Sequence, residues 1–148
     1  MQRRKSVQRT LWLAVLVWMG VIFSLSHQTG EQSGKLSSGV TEVIVQTVEK
    51  VVPSVHIDRP SFHAFMRKNA HFAAFFVLGI LSFAAMHDGK RTRKTALWQA
   101  LALCATYAAG DEFHQLFVPG RGGQIADVLI DTAGSVFGIA AANMILRR

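Results

Sequence analysis

The chain has 148 residues, enough for one domain, with half of them apolar, 17% charged and a mean hydropathy of +0.27. A formal net charge of +7 would suit nucleic acid, but the basic residues alternate with long apolar runs instead of forming one patch, and this excludes a nucleic-acid partner. The single cysteine, Cys104, excludes a disulfide framework and reads as small filler within an apolar run.

The first apolar run, residues 11–25 (LWLAVLVWMGVIFSL), follows Arg3, Arg4, Lys5 and Arg9. A cleaved signal peptide would share that basic start and the small-x-small triplet Ser24-Leu25-Ser26. Fifteen apolar residues is the upper limit for a signal core, so a retained helix is the expectation. Residues 27–39 (HQTGEQSGKLSSG) read as an external loop. Val40, Ile44, Val48, Val51 and Val55 then recur at helical spacing, predicting an interfacial amphipathic helix that ends near Pro53, with a strand as the alternative because so many are β-branched.

Residues 70–86, 95–109 and 125–146 are apolar around the whole helical circumference, as lipid-immersed helices are. Asp88-Gly89 marks a tight turn between the second and third runs, so these two helices should be antiparallel neighbours. The expected fold is all-α: a polytopic membrane protein in a single domain over residues 1–148, with four transmembrane helices near 10–26, 68–87, 95–112 and 126–146. The external amphipathic segment lies between the first two.

Charge orients this arrangement. Arg3, Arg4, Lys5, Arg9, Lys90, Arg91, Arg93, Lys94, Arg147 and Arg148 fall on one side, ten of the sixteen basic residues, which predicts both termini in the cytoplasm of a bacterial cell. The other side carries six Lys or Arg against eight acids if Asp127 and Asp131 are counted there. Rulers of ~1.5 Å per residue run from the basic ends. Ser26 lies seventeen residues beyond Arg9, Lys68 twenty before Asp88, Asp111 and Glu112 seventeen and eighteen beyond Lys94, and Asp127 twenty before Arg147. All reach the outer boundary together. His71 and Asp131 lie one turn deeper than Lys68 and Asp127, on the same faces.

An ionised carboxylate at the depth of Asp131 costs about 2.5–3.5 kcal/mol unless it faces the bundle interior and finds a partner. Lys68, His71 and Arg121 are the available partners, with Lys68 the first choice. Below Asp131, Gly134 and Gly138 form a small-xxx-small face that admits a neighbouring backbone.

The stretches KNAHFAAFFVLGIL (68–81) and DEFHQLFVPGRGGQIADVLIDTAGSVFG (111–138), with IFSLSHQTGEQSGKLSSGV (22–40), resemble the VanZ-like membrane proteins. That family's pattern is Lys-x-x-His, then Glu-x-x-Gln, Pro-Gly-Arg, Asp, and Asn or Asp before spaced glycines. Asp131 stands where many members carry Asn. The resemblance implies a site made of Lys68, His71, Glu112, Gln115, Arg121, Asp127 and Asp131, and a link to glycopeptide (teicoplanin) resistance, but no defined reaction.

The leading reading of that site is recognition of an anionic envelope lipid or lipid-linked head group. Pro119-Gly120-Arg121-Gly122-Gly123 precedes the fourth helix, where backbone N–H groups, the helix end and a guanidinium can converge on phosphate. Asp127 in the first turn is the competing occupant, as a cap. A second reading is a membrane-embedded hydrolase or transferase using Glu112, His71 and Asp131. A third makes the polar residues a structural lock with a partner protein; His114 and Gln115 then read as satisfied interface groups and Asp111 as a solvated one. No cofactor is expected, and no metal, because no His-x-x-x-His or Glu-x-x-His spacing lies on one helix. The oligomeric state is not legible.

Overall fold

A computed structural model describes residues 2–28, 47, 50 and 58–146. The described chain is all-helical: α1 (Gln2–Ser26), α2 (Arg59–Met86), α3 (Arg93–Gln115) and α4 (Ile125–Ile145). Three are long and apolar enough to cross a bilayer, over Lys5–Ser26, Ala64–Met86 and Ile125–Ile145. α3 is a helix of 23 residues but not one of these three, because Thr95, Gln99, Thr106, Tyr107, Asp111, Glu112 and Gln115 dilute its apolar content. The amphipathic segment expected over residues 40–55 lies outside the described residues, apart from helical Thr47 and Lys50.

α2 begins nine residues before the span expected from hydropathy. Its start is set by a cap: Asp58 is extended, its carboxylate accepts from the Ser61 N–H at 3.3 Å, and Pro60 occupies the first turn. Pro lacks the N–H that a first turn would leave unsatisfied anyway, so the helix starts where cap chemistry permits and only later enters its apolar stretch. The opposite connection is the expected tight turn. Asp88 Oδ1 accepts from the N–H groups of Lys90 (2.9 Å) and Arg91 (3.2 Å), and Gly89 takes φ 77°. Those bonds, the Lys90 N–H above all, hold the Asp88 carboxyl below its ordinary range. The Thr92 hydroxyl then caps α3 by accepting from the Thr95 N–H at 3.1 Å.

α2 is the centre of the bundle, packing against each of the other three helices, and its most extensive contact is with α4. The small residues explain the closeness. A Cβ added at Gly134 would collide with the carbonyl of Phe72, one at Gly138 with that of Phe76, and one on α2 at Gly79 with the backbone of Ser135. The small face expected on α4 thus has α2 as its partner, with a matching glycine on the other side. α3 uses a seam of its own. Ala96, Ala100, Cys104 and Ala108 recur every four residues and are all fully buried, so a helix with many polar residues still packs along its whole length. Cys104 Sγ donates to Ser82 Oγ at 3.7 Å inside that seam.

Cross-links fix the ends at matching levels. Gln8 donates to the carbonyl of Ala85, and Arg93 donates to both the side chain and the carbonyl of Asn143. Midway, Trp18 Nε1 donates to Ala74 O at 2.9 Å and Tyr107 Oη to Met19 O at 2.6 Å. Outward-facing Leu13, Leu16, Trp98, Phe117, Leu129, Phe137 and Ile145 are each more than half exposed. A surface so apolar suits lipid rather than water.

Candidate functional site

The rulers predicted one polar layer, and the side chains meet in one. Ser26, the last residue of α1, donates its hydroxyl to Asp111 Oδ2 at 2.7 Å; Lys68 Nζ of α2 lies 2.8 Å from Asp127 Oδ1 of α4. Glu112 Oε2 of α3 accepts from the Gln124 backbone N–H, just before α4, at 2.9 Å. Each contact joins a different pair of helices, so the layer ties all four elements together.

The last of these contacts corrects the expected cap. Gln124 is the N-cap of α4 and offers no side-chain cap bond, and Asp127 faces Lys68 instead. The carboxylate that quenches an unsatisfied N–H at this helix end therefore comes from another helix. Two glycines allow it: Gly120 takes φ 74°, which turns the chain back, and a Cβ at Gly123 would run into the Glu112 carbonyl and the Leu116 side chain.

A cleft of about 230 Å³, counting its mouth, opens at this level. It is lined by Arg67, Lys68, His71, Glu112, Gln115, Asp127, Ile130 and Asp131. Six of the seven residues implied by the resemblance line it. The seventh, Arg121, stands behind Gln115, reaching Gln115 Oε1 at 3.5 Å and Leu25 O at 3.3 Å. Burial lowers the Arg121 pKa from its ordinary value, and the nearby Arg67 charge lowers it further, while Asp111 and Glu112 oppose.

The partner of Asp131 is not Lys68. Asp131 is wholly buried and faces His71, with Nδ1 3.5 Å from Oδ2. Lys68 sits one turn nearer the boundary, at the level of Asp127, whose side chain is 14% exposed. Pairing there leaves the ammonium partly hydrated, whereas reaching Asp131 would bury it. Asp111 is also not a solvated group. It is 3% exposed and accepts at Oδ2 from both Ser26 and Gln115, the latter at 3.2 Å.

Arg67 and Asp111 were missing from the sequence-derived site, though both carried a signal. Arg67 precedes His71 by one helical turn, Asp111 precedes Gln115 by one, and each pair shares a face. His114, read as an interface group, has its Nε2 3.1 Å from His27 Nδ1, and both rings stack near Phe23. His71, Glu112 and Asp131 form the floor of the cleft, with Asp111 just behind it, and one donor atom from each of the four lies within 4.8 Å of all the others.

The site is thus layered. Arg67 and Lys68 are at the rim with Arg121 behind them, and a floor of two carboxylates and one imidazole, backed by a third carboxylate, lies beneath. The rim can accept an anion, and the floor can move protons or hold a cation.

Comparison with known proteins agrees with the motifs that build this cleft. No curated protein and no solved structure matches the chain. A family model described as VanZ/LLP1 matches residues 11–146, from the first apolar turn of α1 past the end of α4. A match of that extent, carried by a chain whose family motifs converge on one cleft, makes this protein a member of the VanZ/LLP1 family.

Proposed function

We propose that the protein crosses the bacterial cytoplasmic membrane four times, with both termini in the cytoplasm, and binds the anionic head group of an envelope lipid or lipid-linked intermediate in the outer cleft. α3 supplies the fourth crossing in this reading. Its ends are bonded at the same levels as those of the three apolar helices, through Arg93 to Asn143 and through Asp111 to Ser26. Its ionisable and amide groups at the outer end, Asp111, Glu112 and Gln115, are buried against neighbours, and the outward face carries Trp98 and Phe113, both 63% exposed.

The observation that carries the ligand reading is the uncommitted positive charge at the rim. Arg67 lines the cleft and has no hydrogen-bond or ion-pair partner among the described residues, and the buried Nε of Arg121 is likewise without one. The Arg67 guanidinium is close enough to disfavour the charge on Arg121, and a phosphate between the two would neutralise both. Against the hydrolase reading, Glu112 already holds the Gln124 N–H with one carboxylate oxygen, so its availability as a general base is reduced. Any link to glycopeptide resistance belongs to this proposal as its cellular consequence.

The test compares thermal stabilisation of the purified protein by phosphatidylglycerol and polyprenyl phosphate with that by phosphatidylcholine. The anionic lipids should raise the midpoint of unfolding of wild type, and the Arg67→Ala, Arg121→Ala double variant should lose most of the difference. Equal stabilisation by all three lipids would remove the reading.

A further inference from the structure

The floor of the cleft has a charge problem that the rim does not solve. Asp111 and Glu112 come from α3, Asp131 from α4 and His71 from α2, and their donor atoms lie within 4.8 Å of one another. Three carboxylates so close cannot all remain ionised without a cation among them. The nearest ammonium, Lys68, is already paired with Asp127. We infer that His71, Asp111, Glu112 and Asp131 bind one divalent first-row transition cation, of the Mn²⁺ or Zn²⁺ class.

A second, independent observation points to a ligand. Asp131 has no exposed surface and makes no hydrogen bond among the described residues; His71 Nδ1, 3.5 Å from Oδ2, is its one ion-pair contact and leaves Oδ1 an orphan, and Asp111, 3% exposed, has an orphan Oδ1 as well. Folded proteins pair such atoms almost without exception. Here both carboxyl groups, from two helices, belong to the one cluster whose donor atoms lie within 4.8 Å of one another.

The remaining oxygens look like a supporting shell. Ser26 and Gln115 hold Asp111 by its other oxygen, Oδ2, and the Gln124 N–H holds Glu112 by Oε2. Each bond fixes the direction of a carboxylate and leaves its second oxygen free to coordinate. Donors bound at ~2.0–2.2 Å around one metal stand roughly 3–4 Å apart, so small rotamer adjustments close the observed spacing.

One imidazole with three carboxylates suits Mn²⁺ or Zn²⁺. Ca²⁺ takes about six to eight oxygens, and Mg²⁺ retains most of its water and seldom uses an all-protein cage. The ligands come from three helices, so no single-helix spacing could announce them. This inference does not need the lipid reading, although a cation on the floor would turn an acidic surface into one that welcomes phosphate.

The experiment uses the full chain in neutral detergent without added lipid, stripped with chelator and then titrated with MnCl₂ or ZnCl₂ alone. Wild type should take up one equivalent saturably, with a rise in unfolding temperature. Bound Mn²⁺ should show electron spin-echo coupling to an imidazole nitrogen, a signature read on wild type with no variant required. Asp131→Asn should make the stripped protein more heat-stable, by removing one of three crowded buried carboxylates, while abolishing the metal-induced rise. Ser26→Ala should weaken Mn²⁺ affinity ~10- to 100-fold, as loss of a supporting bond does. Wild type that takes up neither ion, or binds Mn²⁺ without nitrogen coupling, would overturn the site and leave protons to neutralise the floor. Because no lipid is present, either outcome leaves the lipid test independent.

Discussion

Lys68 shows how a shift of one helical turn changes an electrostatic assignment. Its ammonium is 2.8 Å from Asp127, while Asp131, one turn deeper on α4, faces His71 at 3.5 Å. The Lys68 side chain is 33% exposed, so water screens much of the attraction. A double-mutant cycle of Lys68→Met with Asp127→Asn should give a coupling of about 0.5–1 kcal/mol. The same cycle with Asp131→Asn should be close to additive. Coupling to Asp131 in place of Asp127, measured by thermal or chemical unfolding in detergent, would reverse the assignment.

Among the elements, the α2–α4 pair is the least tolerant of added volume. At Gly138 a methyl group would meet the Phe76 carbonyl and the Ile80 nitrogen. These are backbone atoms within a helix and cannot rotate away, so the two helices must separate. Gly138→Ala should therefore destabilise the protein by about 1–3 kcal/mol, the usual range for overpacking. Gly20 on α1 is the control: a Cβ there meets nothing within 4 Å, and Gly20→Ala should be neutral or slightly stabilising. Similar melting temperatures for the two variants would mean that α2 and α4 do not touch as closely as described.

For the whole molecule, the proposed sidedness rests on the distribution of basic residues and is open to a direct check. Cys104 is fully buried within the α3 seam and can be replaced by Ala to give a cysteine-free background at small cost. In intact cells, an impermeant maleimide should then label a cysteine placed at Gly34 and spare one placed at Thr92, with both labelled after permeabilisation. The opposite pattern would invert the topology and place the cleft on the cytoplasmic side.

The sequence alone determined the helical class, the four helices, although it read all four as strongly apolar where three are, the turn at Asp88-Gly89 and the level at which the polar groups gather. These depend on local composition and on a fixed rise per residue, which a single chain carries without knowledge of its neighbours. It also contained the α4 glycines, but not the backbone they would meet. Three things were decided only in three dimensions: that Glu112 caps α4 from α3, that Lys68 takes Asp127 and leaves Asp131 to His71, and that Asp111 turns inward to Ser26. Each depends on the rotation of one helix about its axis relative to another. That rotation is set by where small residues let backbones approach, Gly79 against Ser135 and Gly134 against Phe72, and no ruler along one helix can measure it.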